Sequence, residues 1–306
     1  MKKHIIKKKY VFLGEVDSIN IELIIKSFSK LKNKVNYILI CNISDLLKNN
    51  FYKGNKIKIN EILDPISFTN YRKDMLNIFN IKNISNKKYI NLLNQIKIAN
   101  KFANITKFDL ITMPINKAIF KKNISFIGMT EYLGMINNKS TIMMMHGEIF
   151  SIIPMTTHIQ LKDVYKSISP RTINLFVKNI LNILEIKKTD SFKFKEIKFL
   201  CHNPHCGEDG TLGIEDILIN KTLKKYRKIK GPYSADSIFN KIKHKTLFLS
   251  TYHDQALIPF KIINKKSINI TLGLNFFRLS PAHGIAKDIK NKFISDNTSY
   301  LQCLLF

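Results

Sequence analysis

Short apolar runs recur along the chain at residues 10–13, 37–41, 110–113, 149–153, 197–201, 247–249 and 268–272. Each is bounded by polar or turn-forming residues and is too short for a helix, so each predicts a buried strand. Between them the apolar spacing turns helical. Ser169 stands as an N-cap and Pro170 at the first helical position, after which Ile173, Phe176, Val177, Ile180, Leu181 and Leu184 fall on one face. A second stripe runs through Ile21, Ile24, Ile25, Phe28 and Leu31. Strands alternating with amphipathic helices predict an α/β fold with a largely parallel sheet. A length of 306 residues allows one large or two medium domains with a sizeable core, and no repeat or low-complexity linker marks a boundary. No apolar stretch approaches the roughly 20 residues that span a bilayer. The Lys-rich start leads only into the run at 10–13, too brief for a signal peptide, so a cytoplasmic chain without membrane contact is expected.

Charge complicates this picture. Fifty basic against 22 acidic residues leave a net +28, which would ordinarily point to a polyanion. Yet 46 of the basic residues are Lys and only Arg72, Arg171, Arg227 and Arg278 are Arg, while 32 residues are Asn. Lys, Asn and Ile share A/T-rich codons, and Arg, the better bidentate reader of phosphate, is the scarce one. Codon bias accounts for the charge better than nucleic-acid binding does. The four cysteines, Cys41, Cys201, Cys206 and Cys303, form no disulfide framework and are expected to be reduced. Cys201, His202, His205 and Cys206 crowd into six residues, too tight a span to wrap one tetrahedral ion.

Ligands collect at the carboxyl ends of strands in open α/β sheets, so the residues that follow each run carry the chemistry. Pro114-Ile115-Asn116-Lys117 follows one strand and Thr156-Thr157-His158 another; Asn203-Pro204-His205-Cys206-Gly207-Glu208 and Tyr252-His253-Asp254-Gln255 follow two more. His158, His205 and His253 thus occupy equivalent strand ends, and three imidazoles with an open fourth position suit a catalytic metal. His4, His146 and His244 fit no such pattern and are expected at the surface. The eleven glycines contain neither G-x-G-x-x-G nor G-x-x-x-x-G-K-[ST], which disfavours a Rossmann site and a P-loop.

These segments, together with Gly128-Met129-Thr130-Glu131-Tyr132-Leu133, Gly231-Pro232-Tyr233-Ser234-Ala235-Asp236 and Asn269-Ile270-Thr271-Leu272-Gly273-Leu274, occur in the order found in the 4-hydroxythreonine-4-phosphate dehydrogenase family of pyridoxal phosphate biosynthesis. The resemblance covers residues from about 110 to about 289. It implies a two-domain α/β/α fold like that of isocitrate and isopropylmalate dehydrogenases, with residues 1–125 and 275–306 in a first domain, 126–274 in a second, and the active site in the cleft between them. It further implies a homodimer with shared active sites, NAD or NADP as cofactor and one divalent metal per subunit, Zn, Mg or Co. The family's metal ligands map onto His158, His205 and His253. Its contacts to a small phosphorylated hydroxy amino acid map onto Met129, Thr130, Lys261, Asn269 and Arg278, and a Lys point charge with an Arg fork suits a phosphate dianion. Ser280-Pro281-Ala282-His283-Gly284-Ile285-Ala286-Lys287-Asp288-Ile289 is similar to the loop that holds the adenosine half of the dinucleotide in this fold, which assigns His283, Gly284 and Asp288 to the cofactor. Gly284 is expected to permit a backbone conformation or close approach that a Cβ would hinder. Lys117, Asp236 and Asp254 are the candidates for moving protons or orienting a metal histidine.

The implied reaction is metal-assisted oxidation of 4-phosphohydroxy-L-threonine to a 3-oxo amino acid that decarboxylates. Departures from the family pattern are the loss of its Gly/Pro-rich opening, here Gly14-Glu15-Val16-Asp17-Ser18-Ile19-Asn20-Ile21-Glu22, with Met129 in place of a histidine and Ala282 in place of an aspartate. Alternatives are a related dehydrogenase of threonate or erythronate 4-phosphate, which the same residues would serve, and a decayed enzyme kept as a basic binding protein.

Overall fold

The apolar run at 10–13 closes strand β1 (Lys7–Phe12), in which Tyr10, Val11 and Phe12 are at most 1% exposed. It is followed by α1 (Asn20–Leu31), whose predicted stripe is buried from Ile21 to Leu31, and by β2 (Val35–Cys41), α2 (Ile43–Leu47), α3 (Asn50–Asn55), β3 (Ile59–Glu61) and β4 (Leu76–Asn80). Then come α4 (Lys88–Thr106), β5 (Asp109–Thr112) and α5 (Met129–Ile136). This computed structural model describes residues 7–31, 34–120, 126–186 and 192–306. The chain divides into two compact units, Met1–Thr141 with Ile268–Phe306, and Ile142–Ser267.

The second unit holds β6 (Ile142–Gly147), β7 (Phe150–Pro154), α6 (Pro170–Ile186), β8 (Glu196–Leu200), α7 (Glu215–Leu223), β9 (Ile229–Tyr233), β10 (Thr246–Ser250) and α8 (His253–Ile263). Its strands lie in the order β6-β7-β10-β8-β9. β6 is antiparallel to β7, while β7, β10, β8 and β9 run parallel. The four parallel strands therefore end on one edge. The predicted N-cap of α6 is in place, the Ser169 hydroxyl accepting from the Thr172 N–H at 3.2 Å, and Ile173, Val177 and Ile180 form the buried face.

The chain returns to the first unit with β11 (Ser267–Leu272), β12 (Arg278–Pro281) and α9 (Thr298–Leu305). There the order is β3-β4-β2-β1-β5-β12-β11, parallel except that β11 runs against β12. The boundaries expected at 125 and 275 differ from those of the structure, which keeps 126–141 and 268–274 with the first unit. The reason is apolar. Met129, Tyr132 and Leu133 of α5, with Leu274 and Phe276, join one buried cluster with Tyr10, Phe12 and Phe120.

The altered opening motif still makes a tight turn. Gly14 takes φ +71°, and a Cβ there would stand 2.6 Å from the carbonyl oxygens of Met113 and Pro114. Asn20 is fully buried and its amide donates to the carbonyls of Leu13 at 3.0 Å, Glu15 at 3.1 Å and Pro114 at 2.8 Å, so one side chain ties the ends of β1 and β5 together. Asn20→Ala is expected to lower unfolding stability by about 2 to 3 kcal/mol, the cost of leaving buried carbonyls unpaired. Urea denaturation should show a lower midpoint at unchanged slope, and an unchanged midpoint would contradict this role.

Candidate active site

The loops that leave the parallel edge of the second unit are fastened to one another. Met155 N–H donates to the Ser250 carbonyl at 2.8 Å, and the Thr156 hydroxyl to the Thr251 carbonyl at 2.8 Å. Gln255 bridges the neighbouring loop, its amide donating to the Cys201 carbonyl at 2.7 Å while its oxygen accepts from Thr251 N–H at 2.9 Å. Buried Asp216 of α7 accepts from the N–H groups of His202 at 2.7 Å and Asn203 at 2.9 Å. Gln255 lay inside a motif that the sequence singled out; Asp216 did not, because nothing in its helix marks a carboxylate that turns inward.

On this frame stand the histidines. His158 and His253 approach with ring centroids 6.1 Å apart. The Nδ1 of His253 meets Asp254 Oδ1 at 2.6 Å, so the carboxylate engages that ring nitrogen and leaves Nε2 outside the pair. His205 is exposed on a run of left-handed residues from His205 to Asp209. With His202, Asp236, Tyr252 and Asp254 it lines a cavity of about 590 Å³. Among the described residues no three His, Cys, Asp or Glu side chains converge closely enough to hold a metal ion. One chain thus brings together His158 and His253 with Asp254, and leaves His205 apart from a complete three-donor set. The Ser234 hydroxyl donates to Asp236 at 2.5 Å; that bond, aided by His205, holds the carboxyl below its ordinary pKa. Burial pushes the Cys206 thiol up to about 12, with the Cys201 thiol beside it adding to the effect.

In the first unit the candidate anion group is built around Arg278, 6% exposed. Its Nε donates to Thr112 Oγ1 at 2.7 Å and one terminal nitrogen to Thr271 Oγ1 at 3.4 Å, and Thr271 shares a 2.8 Å hydrogen bond with Thr130. Burial lowers the guanidinium pKa to about 10. Its hydrogen-bond partners are hydroxyls, a setting in which an incoming anion gains most. Asn269 lies two residues before Thr271 on β11, and its buried Oδ1 has no partner. Thr112 was missed by the sequence reading, being one hydroxyl inside an apolar strand. Lys261 is exposed on α8 of the second unit, and Lys117 is exposed in the turn after β5. Met129, 9% exposed, packs into the apolar cluster.

The segment assigned to the cofactor also lies in the first unit. His283 Nδ1 is 2.8 Å from the Gly284 carbonyl, while Nε2 is buried with no partner; Asp288 is exposed. The expectation for Gly284 is corrected: its φ lies outside the left-handed range, and a Cβ would meet nothing within 4 Å. The chain's own backbone does not require glycine there. Open space beside an orphaned buried nitrogen fits a loop that receives a ligand.

An α/β scaffold that gathers imidazoles and carboxylates at one strand edge, with a buried guanidinium among hydroxyls in its other unit, defines the class as an α/β protein with a candidate active site. The chain belongs to the family of the pyridoxal phosphate biosynthetic protein PdxA, whose family model matches residues 28–306. The 4-hydroxythreonine-4-phosphate dehydrogenase of Aquifex aeolicus (strain VF5) is 33% identical over 97% of this chain and 96% of its own length. That of Hydrogenobaculum sp. (strain Y04AAS1) is 39% identical over 62% of each chain. The crystal structure of 4-hydroxythreonine-4-phosphate dehydrogenase from Klebsiella pneumoniae has the same fold, with a TM-score of 0.81 at 21% identity over 97% of both chains. No helix among the described residues is long and apolar enough to cross a membrane.

Of the histidines expected at the surface, His4 lies outside the described residues, His244 is exposed, and His146 is a correction. It is half-buried on β6, with Nδ1 2.8 Å from the Ser151 hydroxyl and its ring edge-on to Phe192, the two contacts that draw it in from the surface. Desolvation pushes its pKa from 6.5 to about 4. The unfolded chain takes up this proton below about pH 6.5 and the folded chain only near 4, so stability falls on acidification through that window. The urea midpoint should drop from pH 7 to pH 5, and His146→Gln should reduce that drop. An identical pH dependence in the variant would contradict the assignment.

Proposed function

We propose that the chain oxidises 4-phosphohydroxy-L-threonine, with NAD or NADP and one divalent ion (Zn, Mg or Co), to a 3-oxo amino acid that decarboxylates. The observation that carries this reading is the close approach of His158 and His253 with Asp254 on the Nδ1 of His253, at the strand edge where α/β proteins bind ligands. When bound, the ion supplies Lewis-acid polarisation of a secondary hydroxyl and the dinucleotide supplies the hydride acceptor.

The chain's own residues divide the remaining work. Asp254 accepts from the Nδ1–H of His253 and so presents Nε2 as the ligand atom. His205, which stands apart from this pair, serves as the third donor in a homodimer in which two copies share each site. Ile258 and Ile262, 60% and 65% exposed on one face of α8, line the same cavity as His205, which supports an apolar contact with a second copy there. Arg278, held by Thr112 and Thr271, supplies the fixed charge for the substrate phosphate, Thr130 and Asn269 supply neutral hydrogen bonds, and Lys261 adds a mobile cation. Asp236, kept ionised by Ser234, can take up a proton at its carboxylate, and Lys117 is the second candidate for that task.

Met129 supports keeping a second reading. Its buried thioether is only a weak acceptor and lacks the donor that the family's histidine offers the substrate, so the pocket is not matched to the family's usual substrate there, and a threonate or erythronate phosphate remains the second reading.

Metal content is the direct test. His158→Ala and His253→Ala proteins should retain no stoichiometric divalent ion, and Asp254→Asn should weaken its binding by roughly ten- to a hundredfold with unchanged thermal stability. Mixed dimers of inactive His205→Ala and His253→Ala chains should regain part of the activity. Full metal occupancy in His253→Ala would overturn the site.

A further inference from the structure

A cleft of the first unit, about 920 Å³, plays no part in the metal or anion sites described so far. Its size is within the range of small-molecule sites. It opens where β1, β2 and β4 end: Gly14 and Asp17 follow β1, Lys48 follows β2 through α2, and Asn83 follows β4. Four residues of α4, Lys88, Asn91, Leu92 and Gln95, line it at helical spacing, so one face of that helix forms the wall.

Three features point to a ligand. The first is the start of α4, which faces the cleft without compensation for its dipole: its N-cap is Lys87, which makes no capping bond, and its first turn has no acidic residue. Such an end favours an anion. The second is Gln95, 5% exposed and lining the cleft, whose carboxamide makes no hydrogen bond among the described residues. Its donor and acceptor are both unused and available to a ligand in the cleft. Asn91 differs: it accepts from the N–H groups of Ile84 and Ser85 at 2.9 and 3.1 Å and donates to the Ser85 carbonyl at 2.7 Å, so it shapes the wall and leaves Gln95 to face the space. The third is Glu15, fully buried, whose Oε1 pairs with Lys88 and accepts from the Asp17 N–H at 3.0 Å while Oε2 has no partner. The pair holds Lys88 at the cleft wall.

We propose that this cleft binds the ADP-ribose portion of the dinucleotide. Its phosphates sit at the start of α4 within reach of Lys48 and Lys88, and its base edge pairs with the Gln95 carboxamide. Lys290 and Asn291, which also line the cleft, directly follow the segment holding His283, Gly284 and Asp288, so cleft and loop form one continuous surface of the first unit. The proposal rests on the dinucleotide reading of the previous section. It adds Lys48, Lys88 and Gln95 as the residues that recognise the cofactor in place of a Gly-rich loop.

The test is calorimetric titration of the intact chain with ADP-ribose, needing neither substrate nor turnover. Gln95→Met should weaken binding roughly three- to tenfold, the worth of one neutral hydrogen bond. Lys48→Gln should weaken it by a similar factor and flatten its dependence on salt. Lys48 is exposed, so that variant folds even if the Gln95 variant does not. Wild-type affinity in the Lys48 variant and in folded Gln95→Met protein, with loss of affinity in His283→Ala, would overturn the cleft and leave the dinucleotide reading standing. Absence of binding by the wild-type chain to both ADP-ribose and NADH would overturn both.

Discussion

The candidate metal site depends on hydrogen bonds that tie three strand-end loops into one rigid surface. Strand ends bring loops near each other but do not fix them, since a loop's polar backbone must find partners of its own. Here Gln255 joins the loop after β10 to that after β8, the Thr156 hydroxyl joins the loop after β7 to that after β10, and buried Asp216 anchors the start of the histidine-bearing turn. With those bonds in place, His158 and His253 can meet at 6.1 Å without any contact between them having to order the loops. His205 sits at the far end of the Asp216-anchored turn, on left-handed backbone, and is the donor whose position this network determines least.

The first unit follows a different logic. Among its buried charges, the Arg278 guanidinium is bonded to hydroxyls, and burial drives its pKa down. A buried cation of that kind, with only hydroxyls beside it, is costly to hold. The net charge of +28 is a separate matter. It is spread over exposed lysines, and Lys9 shows the exception: fully buried, it is paired with Asp109 at 2.7 Å.

Much of this was legible in the sequence because strand cores and helix stripes are periodic. Every apolar run that predicted a strand lies on one, and Ser169 and Pro170 begin α6 as their chemistry requires. Only α1 and α6 were read among the helices, and the strands that went unread were β3, β4, β6, β9 and β12. They are short, carry Asn, Lys or Pro in place of a continuous apolar run, or, in β6, a methionine tract without strand propensity. The histidines and Arg278 were legible as residue types after strands. Their supports were not: Thr112, Asp216 and Gln95 act through burial and direction, which spacing does not encode. The unit boundary moved because α5 carries its apolar face into the first unit's core, a tertiary preference that no local composition announces.

The central claim is that this chain oxidises a phosphorylated hydroxy amino acid with the help of a histidine-held ion. The decisive measurement is reduction of NAD or NADP, followed by absorbance, by chelator-treated protein given 4-phosphohydroxythreonine or threonate 4-phosphate, with and without added divalent metal. The account predicts turnover of 4-phosphohydroxythreonine that vanishes on chelation and returns with metal. Turnover that persists unchanged without metal, or none with 4-phosphohydroxythreonine under any condition, would contradict it.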